Sequence, residues 1–518
     1  MLLTVENLNL TFDKKRLFKD ASFRILNGEK IGVVGSNGVG KTTLINILCG
    51  KIIPDSGKIE FDKKIKVGYL DQYMNIDKHL TIDEYLKLAF KDLYKKEQEM
   101  NQLLDEIKNS TNQVIIDRNV RLTTMIREEL ETNDFYALNS KVARIAAGLG
   151  IINYGMNTVM KNLSGGQKVK VILAKLLLEK PDLLILDEPT NFLDTVHVDW
   201  LVKYLKEYKG NFLIVSHNQE FLDDVVNVIL EIEFGKITKF KGNYQTYLVK
   251  KAQMMENYEK QYKAQQREIK TLETYIQKNK VKTSTARQAK SREKMLERID
   301  VLDAPQSADI KLNLYFEYSP IASHKFLEVK DLEIGYTSSL LPPISFTIKS
   351  GTRLAVTGFN GIGKTTLLKT LIGQLKPICG SYKFVDNVKI AYFEQEHNFD
   401  NMNISAMDEI HNLYPALDHK TIRGLLARCG LRGDMVLQPI KTLSGGEQSK
   451  LKLCKIMMIK SNVLILDEPT NHLDVNAKNG LLEALKKYQG TIIFVSHERD
   501  FIDKLSTEIY SFEDLLLS

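Results

Sequence analysis

The stretch GSNGVGKTT, residues 35–43, follows the apolar run IGVVG and recurs as GFNGIGKTT at residues 358–366. Both copies satisfy the spacing G-x-x-x-x-G-K-[ST], in which glycines let successive backbone N–H groups curl around phosphate oxygens. The residues that follow, KTTLINIL (41–48), read as a helix whose N-terminus favours the same anion. The pattern predicts strand, phosphate loop and helix, built twice. The first loop comprises Gly35, Ser36, Asn37, Gly38, Val39, Gly40, Lys41, Thr42 and Thr43. The second comprises Gly358, Phe359, Asn360, Gly361, Ile362, Gly363, Lys364, Thr365 and Thr366. Lys41 and Lys364 are expected to reach the β- and γ-phosphates of ATP, and Thr42 and Thr365 to coordinate Mg²⁺.

Four other motifs repeat in the same order. GYLDQ (68–72) returns as AYFEQ (391–395), LSGGQ (163–167) as LSGGE (443–447), LLILDEPTNFLD (183–194) as VLILDEPTNHLD (463–474), and LIVSH (213–217) as IFVSH (493–497). Five motifs in one order are not chance. Lys41 and Lys364 are 323 residues apart, as are Gln72 and Gln395, whereas Glu188 and Glu468 are 280 apart. The first copy therefore carries 43 extra residues between Gln72 and Ser164. The chain reads as a first domain over 1–240 with a helical arm at about 84–132, a linker over 241–324, and a second domain over 325–518. Each domain is α/β, with short apolar runs as buried parallel strands and polar chemistry at their C-terminal ends.

Each LILDEP run ends in two carboxylates. Asp187 and Asp467 are expected to hold Mg²⁺, and Glu188 and Glu468 to polarise the attacking water. Gln72 and Gln395 end another apolar run and can reach the metal or the water, while His217 and His497 can contact the γ-phosphate.

The chain has 518 residues, enough for three domains, with ordinary apolar and charged content for a globular protein. No apolar stretch is long enough to span a membrane, and the N-terminus lacks the pattern of a signal peptide. Cys49, Cys379, Cys429 and Cys454 are scattered and read as reduced core thiols of a cytoplasmic protein. The net charge is +7, and residues 250–300 alone hold 14 Lys/Arg against 7 Asp/Glu. The whole positive excess thus falls in the linker, a footprint of nucleic-acid binding.

Leu248, Met255, Tyr262, Ile269 and Ile276 are spaced by seven, with Tyr258 and Leu272 in the second series, where Gln265 interrupts. This predicts a long helix over 244–277, a turn at VKTSTA, and a return helix over about 285–302 offering Ala289, Leu296, Ile299 and Leu302. The result is a helical hairpin whose basic tip carries Lys278, Lys280, Lys282, Arg287, Lys290 and Arg292. In the arm, Leu86, Phe90, Leu93, Met100, Leu104 and Ile107 mark one amphipathic helix, with a shorter helix near 119–131. The arm is slightly acidic, so a protein contact suits it better than phosphate.

LSGGQ and LSGGE make both halves resemble the ABC ATPases. In that family the signature of one domain closes over nucleotide held by the other. The resemblance implies that Lys41 and Glu188 face Ser444, Gly445 and Gly446, and that Lys364 and Glu468 face Ser164, Gly165 and Gly166. It also implies D-loops at 191–194 and 471–474, where Phe192 replaces the histidine seen as His472, and adenine stacking on Phe12 and Tyr336. Two such domains, an arm and a charged linker resemble the ABC-F proteins, and FKGNYQTYLVKK (240–251) and TARQAKSREKMLERI (285–299) resemble that family's linker in its bacterial translation-factor branch. The resemblance implies a cytoplasmic, monomeric ATPase that pairs its own two domains. It implies binding at the ribosomal tRNA exit site, with the linker near the P-site tRNA and peptidyl-transferase centre. Large-subunit rRNA and P-site tRNA are the implied partners, and ribosomal proteins those of the arm. Antibiotic resistance by ribosome protection is the alternative within the family, and a transporter ATPase pair the alternative outside it.

Overall fold

The computed structural model describes residues 1–12, 15–70, 77–110, 112–191, 193–279, 286–299, 301–302, 312–321, 324–359, 361–395, 399–471 and 473–517. Each half contains a parallel sheet whose central strands are made of branched apolar residues. In the first, the six strands lie in the order Val67–Tyr69, Leu183–Asp187, Asn211–Val215, Lys30–Val34, Val228–Glu233 and Lys236–Lys241, with only the last antiparallel. In the second, Ile390–Phe393, Val463–Asp467, Thr491–Val495, Arg353–Thr357 and Glu508–Ser511 all run parallel. Leu183–Asp187 and Asn211–Val215 are buried along their whole length, as their unbroken apolar character requires. The C-terminal ends of these strands carry the repeated polar motifs.

Each half also has a three-stranded antiparallel sheet, around Leu3–Phe12 in the first and Lys325–Glu333 in the second. Leu3, Leu8, Phe18 and Ile25 pack with Ile31, Leu44 and Ile185, so the antiparallel sheet closes one face of the phosphate-loop helix. The helix Gly165–Glu179 and its neighbours cover the other face of the parallel sheet. Cys429 and Cys454 are buried, but Cys49 is only partly so and Cys379 is exposed in the antiparallel strand Cys379–Phe384. Core placement therefore holds for two of the four thiols.

The arm departs from its expected proportions. The helix containing Leu86 ends at Lys87, and Leu88–Phe90 form a 3₁₀ turn before a separate helix, Lys91–Asn109. The second helix spans Gln113–Thr132 and is as long as the first. Its beginning, QVIIDRNV, lacks one continuous apolar face, so the pattern exposed only its final turns. Leu130, Phe135 and Leu138 tie the two helices to the body with Phe90, Leu93 and Met100.

The linker begins with a 36-residue helix, Tyr244–Asn279, and returns in Ala286–Glu297. The return helix is shorter than expected and meets only the distal part of its partner. Leu272 and Ile276 are buried there, whereas Leu248 near the root is exposed. Gln265, which interrupts the heptad series, accepts the backbone N–H of Leu302 at 2.8 Å and anchors the returning chain. Beyond the hairpin, Leu314 and Phe316 are buried in the core of the second half.

The root of the long helix is fastened to the first half by charge. The Lys251 ammonium pairs with Glu231, whose side chain is 5% exposed, and Tyr247 donates its hydroxyl to the same carboxylate at 2.6 Å. Replacing Lys251 with Met leaves that carboxylate without its cation, and breaking such a pair costs about 3–5 kcal/mol. Amide exchange of Val228–Glu233 and of the first turns of Tyr244–Asn279 is expected to accelerate together in this variant. Unchanged protection in both segments would show that the pair does not hold the root.

Candidate active sites

The phosphate loops take the backbone that their glycines allow. Gly40 and Gly363, with φ of 104° and 112°, form the N-caps of Lys41–Leu48 and Lys364–Leu371. Lys41 Nζ donates to the carbonyls of Gly35 and Ser36 at 2.8 and 3.1 Å, and Lys364 Nζ to those of Gly358 and Phe359 at 2.6 and 3.0 Å. Burial pushes both ammonium groups down, and the neighbouring carboxylates Glu188 and Glu468 pull them back.

A cavity of about 360 Å³ is lined by Asn37, Lys41, Thr42, Asp187, Glu188 and His217, and across it by Ser444, Gly445 and Gly446. A second cavity, of about 480 Å³, joins Lys364, Thr365, Asp467, Glu468, Gln395 and His497 to Ser164 and Gly166. Each cavity is therefore built from both halves. Thr43 and Thr366 also line them. Ser164 and Ser444 cap the helices Gly165–Glu179 and Gly445–Met457 and form capping boxes with Gln167 and Glu447, so the helix N-termini face the opposite loops.

Other expected residues are placed differently. Gly35 and Ser36 line a smaller cavity of about 170 Å³ behind Lys41. Val39 and Ile362 pack into the cores. Tyr336 lines the second cavity, but Phe12 is exposed and does not line the first. Gln72, Asn360, Phe192 and His472 lie outside the described residues. The strand before Gln72 ends at Tyr69, earlier than its apolar run suggested.

Both acidic pairs stand at strand ends. Glu188 and Glu468 adopt the left-handed backbone, with φ of 47° and 51°, a costly conformation for a side chain with a Cβ. Their amides donate to Val215 and Val495 at 2.9 and 3.0 Å, which holds them there. Burial pushes the carboxyl of Glu188 up to about 7 and that of Glu468 up to about 8. Among the described residues, no well-aligned donor reaches either oxygen of Asp467 or of Glu468. His497 Nε2 lies 3.0 Å from Glu468, and burial beside Lys364 drives this imidazole down to about 3, so it is neutral. His217 donates its backbone N–H to Glu188 at 3.2 Å. A buried carboxyl poised near neutrality can accept a proton from water.

The two sites are not identical. Asp474 accepts from Lys450 at 2.8 Å, whereas the corresponding Asp194 pairs with His197. Burial works to raise Asp194, but the His197 contact outweighs it and leaves this carboxyl at about 2. Lys478 and Glu498 line the first cavity and not the second. The motifs gave no indication of Lys450, His197, Lys478 and Glu498, because each lies outside the repeated segments.

Residues 18–191 and 341–471 match a family model described as ABC transporter, and residues 230–314 match a second model of the same description. The chain is 40% identical to the uncharacterized ABC transporter ATP-binding protein YfmM of Bacillus subtilis (strain 168), over 99% of this chain and 98% of that one. It is 32% identical to ABC transporter F family member 5 of Arabidopsis thaliana, over 98% of this chain and 75% of the relative. The chain belongs to the ABC-F family. As an ABC-F protein it is an ATPase with tandem ATP-binding cassettes. The archaeal ribosome recycling factor aABCE1, solved with ribosomal stalk protein aP1, has the same fold at a TM-score of 0.58 and 19% identity, over 98% of this chain and 87% of that one. Among the described residues of this ABC-F chain, no helix is long and apolar enough to cross a membrane.

Proposed function

We propose that this ABC-F ATPase works in the cytoplasm as an ATP-driven clamp on the ribosome. It would bind at the tRNA exit site with its linker towards the P-site tRNA and large-subunit rRNA. The observation that carries this reading is the position of the linker root. Tyr244, Tyr247 and Lys251 line the cavity behind Lys41, together with Gly35 and Ser36 of the phosphate loop and Asp474 of the opposite cassette. Closure over ATP therefore fixes the base of a basic hairpin. The solved neighbours include the archaeal ribosome recycling factor aABCE1 with ribosomal stalk protein aP1, and ribosome-bound archaeal Pelota and ABCE1.

In each site the lysine and the loop amides bind the phosphates, and the opposing serine and helix N-terminus close over them. The oxygens of Asp467, which no well-aligned donor reaches among the described residues, and Asp187 in the first site, fit a Mg²⁺ held beside Thr365 and Thr42. No cluster of three metal-ligating side chains occurs among the described residues, which suits an ion held mainly by nucleotide phosphates and water. Mg²⁺ bound there neutralises charge on the β- and γ-phosphates. Glu188 and Glu468 orient the attacking water and take its proton, while His217 and His497 contact the γ-phosphate side. Gln395 completes the polar wall of the second site. Hydrolysis removes the ligand shared between the cassettes and releases the clamp.

On the hairpin, Lys278 and Lys290 are exposed, while the Arg292 guanidinium lies 3.8 Å from the centre of the Tyr275 ring and ties the helices together. Lys280 and Lys282 lie outside the described residues. Changing Lys278, Lys280, Lys282 and Arg287 to Ala should weaken ribosome binding and flatten its salt dependence, each lost phosphate contact lowering the slope by about 0.7–0.9. ATPase activity without ribosomes should persist. An unchanged salt slope would remove the hairpin from the RNA interface.

A further inference from the structure

The Lys478 ammonium lies 2.6 Å from Glu498 Oε1, and the two side chains are 14% and 27% exposed. Both belong to the second cassette, yet both line the cavity that holds Lys41 and Glu188 of the first. The Lys478 cation is felt at Glu188, where Lys41 is the stronger cation, and the Glu498 carboxylate is felt at Glu468. Both members of the pair thus stand in the cavity of the first buried glutamate. The repeat makes its singularity plain. An offset of 280 residues places Val198 opposite Lys478 and Asn218 opposite Glu498, and neither carries charge.

We infer that Lys478 is a trans-acting positioning residue for Glu188, and that Lys478 and Glu498 link the two ATP sites. Glu498 directly follows His497, which lines both cavities. A shift of His497 in response to nucleotide at the second site carries Glu498 with it and draws Lys478 from or towards Glu188. In the first cassette Val198 and Asn218 stand in place of this pair, and the charges that reach the second site from that cassette are different ones, Lys170 and Asp194. Through this pair the first site senses the state of the second.

The inference rests on Glu188 and Glu468 each activating water in its own site, and the test separates the two ideas. Glu468→Gln leaves the first site as the working one, and Glu188→Gln leaves the second. Lys478→Val, which installs the residue of the first cassette, is expected to lower kcat about tenfold in the Glu468→Gln background with KM for ATP little changed. In the Glu188→Gln background its effect should stay within about twofold, and Lys478→Arg should recover most of the first-site rate. Glu498→Asn, which keeps the cation but cuts the link, should lower first-site kcat without altering ATP affinity. Equal losses in both backgrounds, a change confined to KM, or no recovery with Arg would overturn the positioning role. If neither glutamine background lowers turnover, the assignment of the glutamates fails instead.

Discussion

Replacing Glu188 and Glu468 together with glutamine is expected to lower ATP turnover by roughly 10²–10⁴-fold, the range typical of losing a general base. Nucleotide affinity should hardly change. Both carboxyls are buried, and glutamine fills the same volume without accepting the proton. The left-handed backbone at each position is held by the amide bonds to Val215 and Val495 and not by the side chain. Lys41, Lys364 and the loop amides, which should dominate phosphate affinity, are untouched. Steady-state phosphate release measures the first quantity and equilibrium binding of a fluorescent ATP analogue the second. Turnover within a few-fold of the parent protein would place the base elsewhere.

The second large effect should be crosswise. Gly446 lines the first cavity and Gly166 the second, each in the opening turn of a signature helix supplied by the opposite cassette. Aspartate there suits the helix, because acidic residues at an N-terminus stabilise by about 0.3–1 kcal/mol. Against a bound triphosphate it repels. Two like charges about 4 Å apart at a protein surface cost about 4 kcal/mol, which exceeds the helical gain and corresponds to roughly 10³-fold. Gly446→Asp should therefore silence the first site, read in the Glu468→Gln background, and Gly166→Asp the second, read in the Glu188→Gln background. ATP binding to each open phosphate loop should survive. If Gly446→Asp silenced only the site built on Lys364, the pairing of the cassettes would be other than that described.

Much of this arrangement was legible in the chain because the repeat states it twice. The strand-loop-helix units at Lys41 and Lys364 follow from local spacing, and the buried strands before Asp187 and Asp467 from unbroken apolar runs. Features that depend on one copy, or on contact between copies, were not. Lys478 looks like a solvated helix residue until the second cassette docks, and its counterpart Val198 gives no hint of charge. Gln265 reads as a flaw in the heptads, yet its side chain receives the chain returning at Leu302. The return helix ends at Glu297 although apolar residues continue to Leu302, because periodicity reports a face to bury and not where a helix stops. Phe12 and Tyr336 are both exposed, yet Tyr336 lines its cavity and Phe12 does not, so an aromatic before a phosphate loop is not placed by its position in the motif alone.

The cassettes, the linker root and the basic hairpin make one claim together: ATP closes the clamp in the form that holds the ribosome, and hydrolysis lets it go. Sedimentation of the Glu188→Gln, Glu468→Gln protein with 70S ribosomes tests it most directly. With ATP the protein should pellet with ribosomes, and without nucleotide it should remain in the supernatant. Failure to co-sediment in ATP, by a protein shown to bind ATP, would contradict it.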